Sequence, residues 1–198
     1  MMIEVRFHGR GSQGAKIASR ILGQSGFLSG LEAQDFALFG AERRGAPVIS
    51  FTRLSSEPID RRGNIERPNL VIVMDDSLLT EATAQFFHGV DANTPVIVNA
   101  DRQRYLLNTK ELPLANYVFI DFGEIARQLT GHSFVSVPAA AAAARCVPAI
   151  GPTELADAVR GEIAEFGLEP DLNREKYRGG GRSLRPRASF GDRHCVPG

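Results

Sequence analysis

The chain has 198 residues, with 23 lysines and arginines against 23 aspartates and glutamates, and 43% of it is hydrophobic. That is enough apolar material for one ordinary core, and the balance excludes both a generally basic nucleic-acid binder and an acidic disordered protein. Two cysteines, Cys146 and Cys195, are too few for a four-thiolate iron–sulfur cluster or a disulfide scaffold.

The start, Met1-Met2-Ile3-Glu4-Val5-Arg6, enters a strand pattern at once and lacks the charged and apolar regions of a leader. No run of about 18 apolar residues offers a membrane span. A soluble, cytoplasmic protein is the expectation. The alternation in Ile3-Glu4-Val5-Arg6-Phe7 predicts a first strand. After a glycine-rich turn, Ile17, Ile21 and Leu28 recur on one face of a predicted helix over 15–28. The segment 32–36, Glu-Ala-Gln-Asp-Phe, reads as a poor strand. Residues 47–54 are rich in β-branched types and predict a strand, and Ser55 to Arg67 holds turn chemistry.

Leu70 to Met74 is a continuous apolar run, as in a buried parallel strand. Asp75 and Asp76 close it, with Ser77 placed to cap a helix through Phe87. Further strands are predicted at 95–98, ending at Asn99, and at 117–120. A helix through Leu129 follows, then an alanine-rich helix over 138–146. The last helix opens near Pro152, carries Leu155, Val159, Ile163 and Phe166 at helical spacing, and stops at Gly167. Strands alternating with helices predict an α/β fold with a mostly parallel or mixed sheet flanked by helices, and a Rossmann-like first βα unit.

The neutral total is unevenly spread. Residues 179–198 hold Arg182, Arg185, Arg187 and Arg193 against Asp192, so 1–178 is net acidic. The division is a body over 1–178 and a basic arm over 179–198, rich in Gly, Pro and Arg.

Gly9-Arg10-Gly11-Ser12-Gln13-Gly14 matches G-x-G-x-x-G between a predicted strand and helix. Three uses are open to it. It can bind a dinucleotide, with Asp35 as the ribose reader. It can be a turn for close packing. It can hold the phosphate of another ligand at a helix N-terminus, with Arg10 adding charge. Dinucleotide use would make the chain a stand-alone NAD(P)-binding oxidoreductase.

Residues 39–48, Phe-Gly-Ala-Glu-Arg-Arg-Gly-Ala-Pro-Val, set two arginines between glycines. Guanidinium forks there suit a phosphate or a partner's carboxylate. A solvated loop is the plain reading. His8 at the end of the first strand is expected to bond a neighbouring loop rather than to do acid–base work. Cys146 reads as a small core residue.

Phe7 to Gly14 followed by Phe39 to Val48 resembles the gamma subunit of 2-oxoacid:ferredoxin oxidoreductases, of which pyruvate:ferredoxin oxidoreductase is the best-known kind. The resemblance covers residues 2–178, and Phe51-Thr52-Arg53, the strand from Pro68 to Asp75 and Asn99 fall where the pattern expects them. Ser12 stands where a glycine is commoner, the alanine-rich segment departs from the usual sequence, and the arm has no counterpart.

The resemblance implies a subunit of an enzyme that turns a 2-oxoacid and coenzyme A into acyl-CoA, carbon dioxide and two electrons. Thiamine diphosphate, magnesium and 4Fe-4S clusters are expected in partner alpha, beta and ferredoxin-like delta subunits. A further electron-acceptor subunit is open. This chain is expected to be inactive alone, to hold no tightly bound cofactor, to serve assembly, and to contribute to coenzyme A binding at a shared site. The candidate cofactor-binding residues are Gly9, Arg10, Gly11, Ser12, Gln13, Gly14, Arg43, Arg44 and Asn99. No catalytic residue and no metal ligand is assigned.

Overall fold

A computed structural model describes residues 1–39, 45–81, 87–100 and 115–165. Arg43, Arg44, the stop at Gly167, residues 82–86 of the helix expected from Ser77 to Phe87, and the arm 179–198 lie outside these residues.

Six strands form one sheet in the order β2-β3-β1-β4-β5-β6. They are β1 (Met2–Arg10), β2 (Glu32–Phe39), β3 (Pro47–Ser55), β4 (Leu70–Val73), β5 (Pro95–Asn99) and β6 (Asn116–Ile120). β1, β4, β5 and β6 run parallel, while β3 is antiparallel to both β1 and β2. The sheet is mixed and the fold is α/β, as the alternation predicts.

Two differences from the sequence reading have physical causes. The 32–36 segment, a poor strand by its sequence, is part of the well-paired β2 at one end of the sheet order. Its residues pair with β3 from Glu32↔Ser55 to Phe39↔Val48. Its weak intrinsic preference is overridden by that ladder, which is a tertiary effect. β1 also runs further than its alternation suggests, because β3 pairs it to the end, Gly9↔Val48 and Arg10↔Pro47. Gly9 and Arg10 are therefore strand residues, and the turn proper is Gly11 to Gly14.

One sheet face carries the helices α1 (Ala15–Leu28), α3 (Ser136–Arg145) and α4 (Pro152–Glu165). α2 (Phe122–Thr130) adjoins α3 and lends its buried Phe122 to the same core. Val5, Phe7, Leu54, Leu70, Ile72 and Ile97 meet the helices there. The alanine run of α3 is buried through Ala139, Ala140, Ala143 and Ala144, which lets α3 lie close to α1. α1 in turn sits low over β3. Ser19 Oγ donates to the Phe51 carbonyl at 3.1 Å, and Thr52 Oγ1 donates to the Ser19 carbonyl at 3.0 Å. A methyl group on Gly26 would run into the side chain of Leu54.

Period-two alternation sends the other residues of the same strands to the opposite face. There Val71, Val73, Val96 and Val98 pack with Leu78 and Leu79 of a 3₁₀ turn, Asp76–Leu79. Ser77 does not cap this turn. Asp75 does, its carboxylate accepting from Ser77 N at 3.0 Å.

Candidate functional site

The chain leaves neighbouring parallel strands in opposite directions at one end of the sheet. From β1 it turns to α1 on the helical face, and from β4 it turns to the 3₁₀ segment on the other. Such a switch opens a crevice beyond the strand ends, where α/β proteins commonly bind ligands. Arg10, Gln13 and Asp75 occupy this one.

Arg10 is engaged on every side. Its Nη1 donates to the Gly45 carbonyl at 2.9 Å, and its Nη2 donates to Ser77 Oγ at 2.6 Å and to Glu81 Oε2 at 2.9 Å. Its Nε lies 3.5 Å from Asp75 Oδ2. Gln13 bridges the two strands: its Oε1 accepts from Arg10 N at 2.8 Å and its Nε2 donates to Asp75 Oδ2 at 2.5 Å. Burial works against ionisation of Asp75, but bonds from Ser77 and Gln13 and the charge of Arg10 prevail and hold its carboxyl below the ordinary value.

Two carboxylates thus face one guanidinium, so the β4 side of the crevice is not cationic. Arg10 is a strut that ties β1 to the β4 end and to the 45–46 turn, where Gly11 N also donates to the Ala46 carbonyl at 3.2 Å. The sequence points to Arg10 as an added charge, yet the partners that answer it, Asp75, Ser77 and Glu81, lie 65 or more positions downstream. The one visible signal is a carboxylate at the end of a strand predicted to be parallel.

The α1 side is different. Gly14 caps α1 with φ +74°, offers no side chain to the helix N–H groups, and no acidic residue lies in the first turn. Ser12 and Lys16 are exposed beside it. An uncapped helix N-terminus with a hydroxyl and an ammonium nearby suits an anion.

The three glycines do different work. Gly14 needs its positive φ, and a methyl group there would sit 3.1 Å from Ser136 Cβ. Gly9 has an ordinary φ but little room, with Ala15 Cβ 3.3 Å from the added carbon. Nothing lies within 4 Å of such a carbon at Gly11.

Asn99 stands at the end of β5, next along the sheet. Its Nδ2 donates to the Met74 carbonyl at 2.9 Å and its Oδ1 accepts from Phe122 N at 2.8 Å. Both ends of the amide join strand ends to the start of α2. His8 is buried, at 1% exposure, on the face opposite α1.

Asp35 is far from the glycine turn. It lies in the middle of β2, two strands away from β1, and packs against Gly23 of α1 at 3.7 Å from an added carbon. Gly23 is nine residues along the helix from Gly14, roughly 13 Å at 1.5 Å per residue. A ribose reader must sit at the end of a strand beside β1, close to the glycine turn. The geometry does not give Asp35 that place.

Comparison with known proteins bears on the same residues. The profile of the pyruvate ferredoxin/flavodoxin oxidoreductase family matches residues 4–174. The chain is similar to the pyruvate/ketoisovalerate oxidoreductases common subunit gamma of Pyrococcus furiosus, with 37% identity over 172 residues, 83% of this chain and 90% of that one. It is 42% identical to the subunit of that description from Thermococcus litoralis, over 66% of this chain and 70% of the other. Among solved structures, pyruvate oxidoreductase subunit PORC of Thermotoga maritima superposes with a TM-score of 0.61 at 27% identity, over 84% of this chain and 95% of that one. The mixed sheet, the strand–turn–helix at Gly9 to Gly14 and the span of these matches agree: the chain belongs to the pyruvate ferredoxin/flavodoxin oxidoreductase family, as a gamma-type subunit of a multi-subunit oxidoreductase.

Proposed function

We propose that this gamma subunit serves a thiamine-dependent 2-oxoacid:acceptor oxidoreductase, which converts a 2-oxoacid and coenzyme A to acyl-CoA, carbon dioxide and electrons. Thiamine diphosphate, magnesium and the iron–sulfur clusters reside in alpha, beta and ferredoxin-like delta partners in the cytoplasm. The gamma chain holds the assembly together and lends positive charge to coenzyme A phosphates. Electrons pass to an acceptor set by the attached redox subunits, ferredoxin or NAD.

One observation carries the reading. The relatives are described as one gamma subunit common to pyruvate and ketoisovalerate oxidoreductases. A subunit shared between two oxidoreductases is not where they choose their acid. By the same logic the present chain supports turnover without selecting the substrate. Arg10 is committed to Asp75, Glu81 and Gly45. Phosphate contact therefore falls to the α1 N-terminus, with Ser12 and Lys16, and to the Arg43–Arg44 pair that follows β2. Gly9, Gly11, Gln13, Gly14 and Asn99 shape this end of the sheet rather than touch the cofactor by side chain.

The test uses the assembled complex. Substrate- and coenzyme A-dependent reduction of benzyl viologen is expected from the complex and not from this chain alone. Arg43→Ala/Arg44→Ala should raise the KM for coenzyme A with kcat little changed. An unchanged KM in an intact complex would overturn the coenzyme A role. Tight NAD(P) binding by the isolated chain would overturn the subunit reading in favour of a stand-alone enzyme.

A further inference from the structure

α4 is seated on α1 by little apolar contact. Among its residues only Ala158 and Glu162 are buried, with Leu155 and Val159 partly covered. Helical spacing offers Ile163 as the next member of the stripe after Val159. The structure instead turns Glu162 inward, at 2% exposure, and leaves Ile163 half-buried. A carboxylate thus occupies a place in the α1–α4 seam where an aliphatic side chain is expected.

The seam answers this carboxylate poorly. Among the described residues neither Glu162 oxygen receives a hydrogen bond. Arg20 of α1 sets its Nε 3.2 Å from Glu162 Oε2, but its Nη2 donates to Glu165 Oε2 at the exposed end of α4. Other groups bear on the site from the elements around it. α1 adds Lys16, α4 adds Glu165, and β2 adds Asp35, which lies beside Gly23 of α1. Asp157 and Arg160 of α4 pair with each other in solvent. α3 also packs against α4, and its one charged residue, Arg145, is exposed. Three carboxylates therefore stand against two cations. Burial pushes the Glu162 carboxyl above its ordinary value, Arg20 and Lys16 oppose the rise, and Glu165 and Asp35 add to it. A buried carboxyl that receives no hydrogen bond is far less costly to keep as the neutral acid than as the anion.

We propose that Glu162 is a proton-operated clasp: as the neutral acid it lets α4 lie closed on α1, and on losing its proton it loosens that seat. The folded chain holds this proton to higher pH than the unfolded chain does. The seat is therefore firmest in mild acid and weakens as pH rises through the raised value. Arg20 limits the loss, and Glu165 competes with Glu162 for it. Gly161 faces Gln24 and Glu165 faces Arg20, so α4 descends α1 toward its first turn. Loosening uncovers the flank of α1 one turn from Lys16. The clasp is independent of the coenzyme A reading, since its readout is the exchange of α4 itself.

The experiment is hydrogen–deuterium exchange of the full chain between about pH 5 and pH 8, read as protection factors corrected for the intrinsic pH dependence of exchange. Protection of residues 152–165 should fall by about three- to tenfold across this range, while that of β1, β4 and β5 changes by less than about twofold. Glu162→Gln should abolish the fall and keep α4 at its acid-side protection throughout. Should that variant disturb the fold, Glu162→Leu carries the same test. Equal protection of α4 at both ends of the range overturns the proposal, as does a fall that survives in Glu162→Gln. A fall shared equally by β1, β4 and β5 overturns it too, since the whole fold would then be what titrates. So does a fall removed by Asp35→Asn or Glu165→Gln and not by Glu162→Gln, which would assign the proton to a neighbour.

Discussion

Replacing Gly9, Gly11 and Gly14 singly by alanine separates a glycine kept for the fold from one kept for a ligand. At Gly14 the backbone has φ +74°, a conformation that costs an L-residue about 1–2 kcal/mol. The new methyl group also meets Ser136 Cβ at 3.1 Å, so α3 must yield slightly, adding about 1 kcal/mol. Against this, alanine restricts the unfolded chain and returns about 0.4–1 kcal/mol. The net loss is roughly 1–2.6 kcal/mol, and in a chain of this size that lowers Tm by roughly 2–10 °C. Gly11 has neither an unusual φ nor any atom within 4 Å of the added carbon. Only the unfolded-state effect remains, so Gly11→Ala should hold or raise Tm by about 1–3 °C. Gly9→Ala should fall between, because its neighbour Ala15 Cβ stands at 3.3 Å. Thermal unfolding of the full chain followed by circular dichroism reads the order directly. A Gly11→Ala variant that melts as low as Gly14→Ala would refute the reasoning. In the assembled complex, a raised KM for coenzyme A in Gly11→Ala alone would assign that glycine to ligand approach.

Two further outcomes follow from the strand-end network. The folded-state pKa of Asp75 is depressed, so its contribution is present above the ordinary carboxylate value and is lost as pH falls through the depressed one. Asp75→Asn should lower Tm at pH 7 and lessen the loss of stability below about pH 4; a pH–Tm profile that merely runs parallel to the parent would contradict this. Asn99→Ala removes bonds to Met74 and Phe122 and should cost about 2–3 kcal/mol in urea unfolding. Asn99→Asp keeps the acceptor for Phe122 N but sets a carboxylate against the Met74 carbonyl, so it should not restore stability; full recovery would show that the Met74 bond counts for little.

The parallel half of the sheet was legible because each strand is a short run of apolar residues closed by a polar one: Met74 then Asp75, Val98 then Asn99, Ile120 then Asp121. Asp75 is the closing residue that lines the crevice, Asn99 ties the next strand end, and Asp121 caps α2 by accepting from Glu124 N. Their positions are legible in the sequence even where their partners are not. β2 was illegible because Ala33 and Asp35 share one face with Gln34 and Phe36 on the other, a pattern that only pairing with β3 makes into a strand. In the sequence Arg10 looks like charge for a ligand, because its carboxylate partners, Asp75 and Glu81, follow β4 and the 3₁₀ turn far along the chain. Asp35 fell at the right sequence distance for a ribose reader, but spacing along the chain says nothing of strand order. Arg53 is buried, at 2% exposure, and donates to Glu4, Gln34 and the Gly63 carbonyl. That role was equally hidden, since a strand arginine facing solvent and one facing a covering segment share the same alternation.

The helical layer has a consequence for how the chain comes off the ribosome. β1 is central, and its strand partners β3 and β4 are complete once residue 73 has been made. α1 is complete by then too, yet its outer face is covered by α3 and α4, which end at Arg145 and Glu165. At about 5–20 residues per second, the nascent chain holds Ala18, Ile21 and Leu22 beneath an unfinished layer for roughly 5–18 s. Closure then joins α1 to α4 over more than 120 residues of sequence, a contact that slows folding and leaves the early half open to chaperones until Glu165 has been made.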